Sequence, residues 1–130
     1  MVLRGFCQHP KYQKNKDVLH AAEMLTSRFF QPDVYGSYHS AEYWFRFEFW
    51  WTNLLTSLEV LAKLGFTKDN SAINQALGWF LEHQESTGLW KTNYMDGKSY
   101  GQSPKMRERE EWVTLRIYRV IQHFCKEKPN

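Results

Sequence analysis

Cysteine and an excess of either charge are both scarce in this sequence. Only two cysteines occur, Cys7 and Cys125, and two thiols near opposite ends do not make the disulfide framework of a small extracellular domain. Lysine and arginine number 17 against 14 acidic residues, and a net charge of +3 spread along the chain is too weak to indicate a nucleic-acid partner. A reducing cytoplasm is therefore the expected compartment.

Long apolar runs are also missing. No stretch reaches the roughly 18 residues that a membrane-spanning helix needs, so the sequence predicts no membrane span. Residues 1–16 contain no apolar segment of signal-peptide length. The same residues are basic and are interrupted by Pro10, so we interpret 1–16 as a lead-in segment.

Familiar catalytic patterns are absent as well. The sequence has no Gly-rich phosphate loop, no Ser-His-Asp arrangement and no His-Glu-x-x-His motif. The neighbouring acids Glu110 and Glu111 point to different sides of a predicted helix, which is typical of a solvated first turn. His20, His39 and His83 have no acidic or nucleophilic partner at a diagnostic spacing. We therefore name no catalytic residue.

Aromatic residues, in contrast, are abundant. They make up 17% of the chain, as six Trp, seven Tyr and nine Phe, which indicates a thick aromatic core, an apolar cavity or an interface. Apolar side chains recur at helical spacing in four segments, so the sequence predicts an all-α fold with four main helices. The predicted helices begin at Asp17 and then cover residues 47–64, 73–84 and 107–126.

The start of the second helix is ambiguous. Aromatic side chains alternate with other residues across 43–49, as in a strand, yet a helical stripe runs through 47–64. A lone strand would lack a partner and would not be stable, so we predict an extended approach and then a helix. Gly65 is expected to end that helix in a Schellman cap, and Asn70 or Ser71 to cap the next one.

A fixed phrase follows the third predicted helix: Gln84, Gly88 and Trp90, spaced Gln-x-x-x-Gly-x-Trp. Gly88 can take the left-handed backbone that a tight exit needs. The indole of Trp90 can fold back onto the helix end and bury a large area. The Gln84 amide and the indole N–H are expected donors to helix carbonyls that lack intrahelical partners.

This phrase resembles the Gln-Trp repeat of the squalene and hopene cyclases, which belong with the protein prenyltransferases to the terpenoid-cyclase group. Ala76 and Trp79 occupy matching positions before it, whereas Gln75 and Phe80 replace the basic residue and the leucine of the repeat. The run 49–65 is similar to an inner helix of bacterial squalene-cyclase-like proteins. An ordinary helical hairpin with a tryptophan in its loop is the alternative interpretation.

The resemblance implies an α/α-toroid, in which the first helices of successive hairpins form an outer ring and the second helices an inner ring. Residues 17–64 and 71–126 each read as helix, long loop, helix, and this internal repeat aligns Leu54 with Leu115. Two hairpins make only part of a ring. We therefore interpret 17–126 as a partial toroid, either one piece of a longer protein or a subunit that associates, most simply as a homo-oligomer.

Candidate binding residues follow from the same resemblance. The aromatic side chains on or before the predicted inner helices are Trp44, Phe47, Trp50, Trp51 and Trp112. In the similar cyclases, aromatic faces at such places stabilise carbocations. The resemblance thus implies an aromatic apolar face for an isoprenoid or for self-packing.

Catalytic groups of the group are not found. The Asp-rich acid motif of the cyclases has no counterpart here, because the four aspartates stand far apart. Prenyltransferases hold zinc through Asp, Cys and His, and Cys7 and His9 with His123 and Cys125 would supply four ligands. The last two are two positions apart on a helix and face apart, so we predict neither a metal nor a cofactor.

A binding module of another class is the alternative function. Trp90, Tyr94 and Tyr100 fall in or beside the long loop 86–108, and exposed aromatic side chains on loops suit a peptide or a carbohydrate. This hypothesis requires the three rings to be accessible.

Overall fold

A computed structural model describes residues 2–32, 41–47, 52–94 and 103–126, and over these ranges the chain is helical without a regular strand. The predicted all-α class is confirmed. The helices in the described ranges are α1 (Val2–Phe6), α2 (Pro10–Gln13), α3 (Lys16–Ser27), a 3-10 helix η1 (Ala41–Phe45), α4 (Leu54–Lys63), α5 (Ser71–Glu82) and α6 (Pro104–Cys125).

The N-terminal segment folds against the rest of the molecule. Both α1 and α2 contact α3, and Pro10, which we expected to interrupt structure, is the first residue of α2. Proline suits that position because its missing N–H needs no partner there. The thiol of Cys7 is buried and donates to the Arg4 carbonyl over 3.2 Å, and desolvation raises its pKa. The segment interpreted as a lead-in is therefore packed against α3.

The helices α3 and α5 each begin with an asparagine N-cap. The side-chain oxygen of Asn15 accepts from the amides of Asp17 and Val18, and that of Asn70 accepts in the same way, over 3.0 and 3.2 Å. Each asparagine satisfies two of the amide groups that a helix start leaves without partners. The predicted cap at Asn70 is confirmed, and the first predicted helix begins one residue earlier than Asp17.

The helix α4 begins at Leu54, so the predicted start at Phe47 is wrong. The amide of Phe47 donates to the Thr92 carbonyl over 2.9 Å, and Arg46 and Asn93 form an isolated antiparallel bridge. Arg46 and Phe47 are thus extended because they pair with a distant loop segment. Asn53 starts α4 through a reciprocal capping box with Thr56.

The end of α4 is as predicted. Gly65 has a φ of +86°, and the Phe66 amide donates to the Leu61 carbonyl over 3.1 Å, which is the bond of a Schellman cap. Phe66 is half-buried against the core. This cap turns the chain sharply toward α5.

The helix α6 is one turn longer at its start than predicted. Ser103 is its N-cap and accepts from the Met106 amide over 3.2 Å, and Pro104 is its first residue. The sequence placed the start at Arg107 because the apolar stripe begins only after that residue.

The closest packing between helices joins the second members of the two predicted hairpins. The first helices, α3 and α5, contact each other, and the second helices, α4 and α6, pack together most closely. Arg116 of α6 forms a two-bond ion pair with Glu59 of α4.

The predicted alignment of Leu54 with Leu115 does not fit their burial. Leu54 is buried, but Leu115 is 40% exposed. When α6 is aligned two positions earlier, its buried residues Val113, Thr114, Ile117 and Val120 correspond to the buried residues Leu54, Leu55, Leu58 and Leu61 of α4. The match is one-sided, because Thr56 and Val60 are buried as well, whereas their counterparts Leu115 and Arg119 are exposed.

Candidate functional site

The turn after α5 holds the sequence phrase that the resemblance depends on. Gly88 has a φ of +85°, and its amide donates to the Glu85 carbonyl over 2.9 Å, so the chain reverses within a few residues. Trp90 follows and is only 1% exposed. Its indole N–H donates to the Phe80 carbonyl over 2.8 Å. The predicted return of this indole to the helix end is confirmed.

Gln84 acts differently from the prediction. Its side-chain amide donates to the Gly88 carbonyl over 2.9 Å and to the hydroxyl of Tyr118 over 2.8 Å, instead of to a carbonyl of α5. The Trp90 amide donates to the Thr114 hydroxyl over 2.9 Å, and the Trp90 ring meets Tyr118 edge-on. The turn therefore fastens the end of α5 to the middle of α6.

A second aromatic cluster surrounds Trp79. Its ring stacks on Phe45 with centroids 4.5 Å apart and on His83 with centroids 4.1 Å apart, and Phe47 and Tyr94 meet it edge-on. These contacts bring η1, α5 and the loop after Trp90 together. Trp79 is also the aromatic residue that matches the Gln-Trp repeat, so the repeat has a packing role at this position.

The hydroxyl of Tyr94 completes this cluster. It donates to the His83 carbonyl and accepts from the Lys91 amide, each over 3.0 Å. Desolvation by burial raises the pKa of Tyr94 to about 12. The neutral phenol is therefore the form that this site favours.

Two of the five predicted binding residues lie in the core. Trp44 is buried against Phe29, and its indole N–H donates to the Gln31 carbonyl over 2.8 Å. Phe47 is buried between Trp79 and Phe80. Both rings are packed inside the chain, which at these two positions favours packing over the binding of an isoprenoid. Trp50 and Trp51 lie outside the described residues.

Trp112, the fifth predicted binding residue, lies on the surface. It is 62% exposed on α6, and Leu115 and Tyr118 follow at three-residue intervals with 40% and 49% exposure. We call these three residues the α6 stripe. Three-residue spacing forms one ridge along a helix, here away from the buried face. Of these three residues, the resemblance identified only Trp112 as a candidate binding residue.

The loop-binding hypothesis does not fit the structure. Trp90, its central ring, is buried and hydrogen-bonded inside the molecule. Tyr94 is half-buried in the cluster around Trp79, and Tyr100 lies outside the described residues. A peptide or carbohydrate therefore cannot use these three rings as one surface.

The hollows on the described surface include two of several hundred cubic ångströms. One, of about 380 Å³, lies beside α1 and α2 and is apolar except for Asn15 and Asp17. The other, of about 420 Å³, is polar and lies between the turn and the start of α6, where Lys91 pairs with Glu85 and Arg107 with Glu111. Within the described ranges, no three His, Cys, Asp or Glu side chains are grouped as metal ligands would be.

The residues considered and rejected as zinc ligands can also be located, together with the paired acids. Cys7 is buried, whereas His123 and Cys125 of α6 are each exposed. Glu110 is half-buried and Glu111 is exposed in an ion pair with Arg107, as expected for acids on different sides of a helix. Among the helices of the described ranges, none has the length and apolar character that crossing a membrane requires.

No function can be carried over to this chain from a known protein. No family model, curated protein or solved structure matches this sequence. The resemblance to the Gln-Trp repeat consequently depends on Gln84, Gly88 and Trp90 and on the packing of Trp79. In this turn, Gly88 and Trp90 take the backbone and side-chain positions that the sequence predicts.

Proposed function

We propose that this chain is a squalene-cyclase-like helical repeat domain, a partial α/α-toroid that functions by packing its helical layers on further helices. The observation that carries the proposal is the pairing of equivalent helices, α3 with α5 and α4 with α6. A ring of two concentric layers requires this side-by-side pairing of first helices and of second helices. A simple four-helix bundle built from two hairpins has no such requirement.

The turn at Gly88 supports this proposal through its contacts. Repeat domains are stable only when neighbouring repeats cover each other, so the joints between repeats carry much of the packing. Here Gln84 and Trp90 bond directly to Tyr118 and Thr114 of α6. The phrase that resembles the Gln-Trp repeat therefore serves as a joint within the molecule.

The α6 stripe supports association over ligand binding. Trp112 is the most exposed large apolar side chain in the described ranges, and it lies on the last helix of the inner layer. A tryptophan in water leaves a large apolar area that a neighbouring helix would cover. An isoprenoid-binding wall would also need Trp44 and Phe47, and both are buried.

Light scattering combined with the binding of a hydrophobic dye tests the proposal. We expect either particles heavier than the 15.6 kDa chain or a monomer that binds the dye at Trp112. Trp112→Glu should reduce whichever signal is present. Leu81→Glu is the matched control, because Leu81 is 59% exposed on α5 but lies off the α6 stripe. A stable monomer that binds no dye would contradict the proposal.

A further inference from the structure

We infer that the α6 stripe is covered by the α6 stripe of a second copy of this chain, with the two helices antiparallel about a two-fold axis at Leu115. This inference rests on the proposed function and names its partner. It specifies a surface, an orientation and the residues that meet across the axis.

The shape of α6 suits such a pairing. The helix has 22 residues and is about 33 Å long, and Leu115 lies near its middle. Its buried face carries Val113, Ile117, Val120 and Phe124, which leaves the ridge of the α6 stripe on the other side. A two-fold axis makes the same surface meet itself, so the ridges of the two copies would contact each other at Leu115.

The charges beside the stripe select the antiparallel orientation. Within about 40° of Leu115 around the helix, the exposed charges are Glu108 and Glu111 on the N-terminal half and Arg119 on the C-terminal half. The exposed Lys105, Arg107 and Arg109 of the N-terminal half lie about 80° or more away around the helix. A two-fold axis at Leu115 places Glu111 opposite Arg119 of the second copy. A parallel pairing would instead place Glu111 opposite Glu111 and Arg119 opposite Arg119, and like charges across an interface are unfavourable.

The aromatic residues follow the same symmetry. The axis that joins Glu111 to Arg119 also places Trp112 opposite Tyr118 of the second copy, because both pairs are symmetric about Leu115. Edge-on or offset aromatic contacts add to the area buried. Glu111 already forms an exposed ion pair with Arg107 over 3.6 Å. Exposed ion pairs contribute little stability, so little is lost when Glu111 pairs with Arg119 of the second copy instead.

The small size of the surface sets the expected affinity. Three large side chains and two charge pairs form a contact at the low end of specific interfaces. Such contacts usually give dissociation constants in the micromolar range, on the order of 1 to 100 μM. The association should therefore depend on protein concentration.

Disulfide trapping tests the axis directly. In a Cys125→Ser background, where Cys7 is buried, Leu115→Cys places two thiols on the axis. Gln122→Cys is the matched control, since it lies on the same exposed face but about 10 Å along the helix, which separates the two copies by about 20 Å. A disulfide needs Cα atoms within about 7 Å. We expect covalent dimer from L115C and almost none from Q122C.

Charge exchange provides a second test that keeps the apolar stripe intact. Glu111→Arg and Arg119→Glu should each weaken the dimer about tenfold, measured by sedimentation equilibrium, because each creates like charges across the axis. The double variant should restore the native affinity. Glu23→Arg, an exposed change on α3, should have no effect.

The results distinguish failure of the antiparallel dimer from failure of the proposed function. Trapping of Q122C as efficient as that of L115C would establish a parallel pairing and overturn the inference, as would charge variants with native affinity. A dye-binding monomer would also overturn it, while leaving the proposed packing on other helices supported.

Discussion

Trp90 joins two helices through both ends of its indole and through its backbone. The indole N–H bonds to Phe80 of α5, the backbone N–H bonds to Thr114 of α6, and the ring meets Tyr118. A buried indole can be accommodated because its one polar group has a partner. The residue is therefore a joint of the fold, which explains why the loop-binding hypothesis fails.

We expect Trp90→Phe to lower the free energy of unfolding by about 2 kcal/mol. The substitution leaves a void beside α6 and removes the hydrogen bond from the indole to the Phe80 carbonyl. That carbonyl keeps a second, longer bond, because the His83 amide donates to it over 3.3 Å. Urea unfolding measures the change. Trp112→Phe is the matched control and should shift stability by less than about 0.5 kcal/mol in the monomer. Equal losses in the two variants would contradict the role given to Trp90.

The titration of Tyr94 should make stability depend on alkaline pH. The pKa is raised from 10.0 to about 12 by burial, so the folded state keeps a proton that the unfolded chain has lost. The unfolded state then binds fewer protons, and the contribution of Tyr94, complete below pH 10, is lost as pH rises toward about 12.

Comparing native protein with Tyr94→Phe at neutral and alkaline pH isolates this effect. The variant also lacks the bonds of the hydroxyl to His83 and Lys91, so it should be less stable near neutral pH. The difference in unfolding midpoint should shrink above pH 10. A difference that stays constant across the range would contradict the burial of the neutral phenol.

Among the helices and turns, those with local signals could be predicted from sequence. Asn70 and Gly65 mark a start and an end by their own chemistry, and the structure places a cap at each. The start of α4 could not be found in the same way. The extended backbone at Phe47 depends on Thr92, which is far away in sequence, so the helical stripe across the boundary was misleading.

The short N-terminal helices show the same limit. Helices of four or five residues have no stability of their own, and α1 and α2 persist because they contact α3. Composition and a proline could only suggest a lead-in. Cys7 was the residue that could have indicated that this segment packs on the core, since free cysteines are often buried. Its thiol is indeed buried.

Two glycines allow a matched test of the α4 cap. Gly65→Ala should cost about 1 kcal/mol, because its φ of +86° strains any residue with a Cβ. Gly78→Ala should instead stabilise by about 0.5 to 1 kcal/mol, because Gly78 lies inside α5 and a Cβ there meets no atom within 4 Å. Thermal or urea unfolding compares them. The same sign for both variants would refute the capping geometry.

At the scale of the whole molecule, the arrangement of the helices depends on contacts between distant segments. The stripes in the sequence indicated which faces are buried, but only the coordinates show that α4 packs on α6 and α3 on α5. The candidate surface was partly foreseen, because Trp112 was identified. The separation of Trp112 from Trp44 and Phe47 was not foreseen, because the burial of those two rings depends on Gln31, Phe29 and Trp79.

The α6 stripe lies in solvent, while Trp90, on the neighbouring turn, is enclosed and meets the stripe only through the edge of Tyr118. Association should therefore change the surroundings of Trp112 more than those of Trp90. A measurement that follows each indole separately distinguishes the two.

Fluorine NMR of protein labelled with 5-fluorotryptophan follows each indole. The chain has six tryptophans, and Trp112→Phe and Trp90→Phe assign the two resonances of interest. As protein concentration rises through the micromolar range, we expect the Trp112 resonance to move or broaden more than the Trp90 resonance, which senses the interface only through Tyr118. A Trp112 resonance that is independent of concentration, or one that changes no more than Trp90, would contradict association through the α6 stripe.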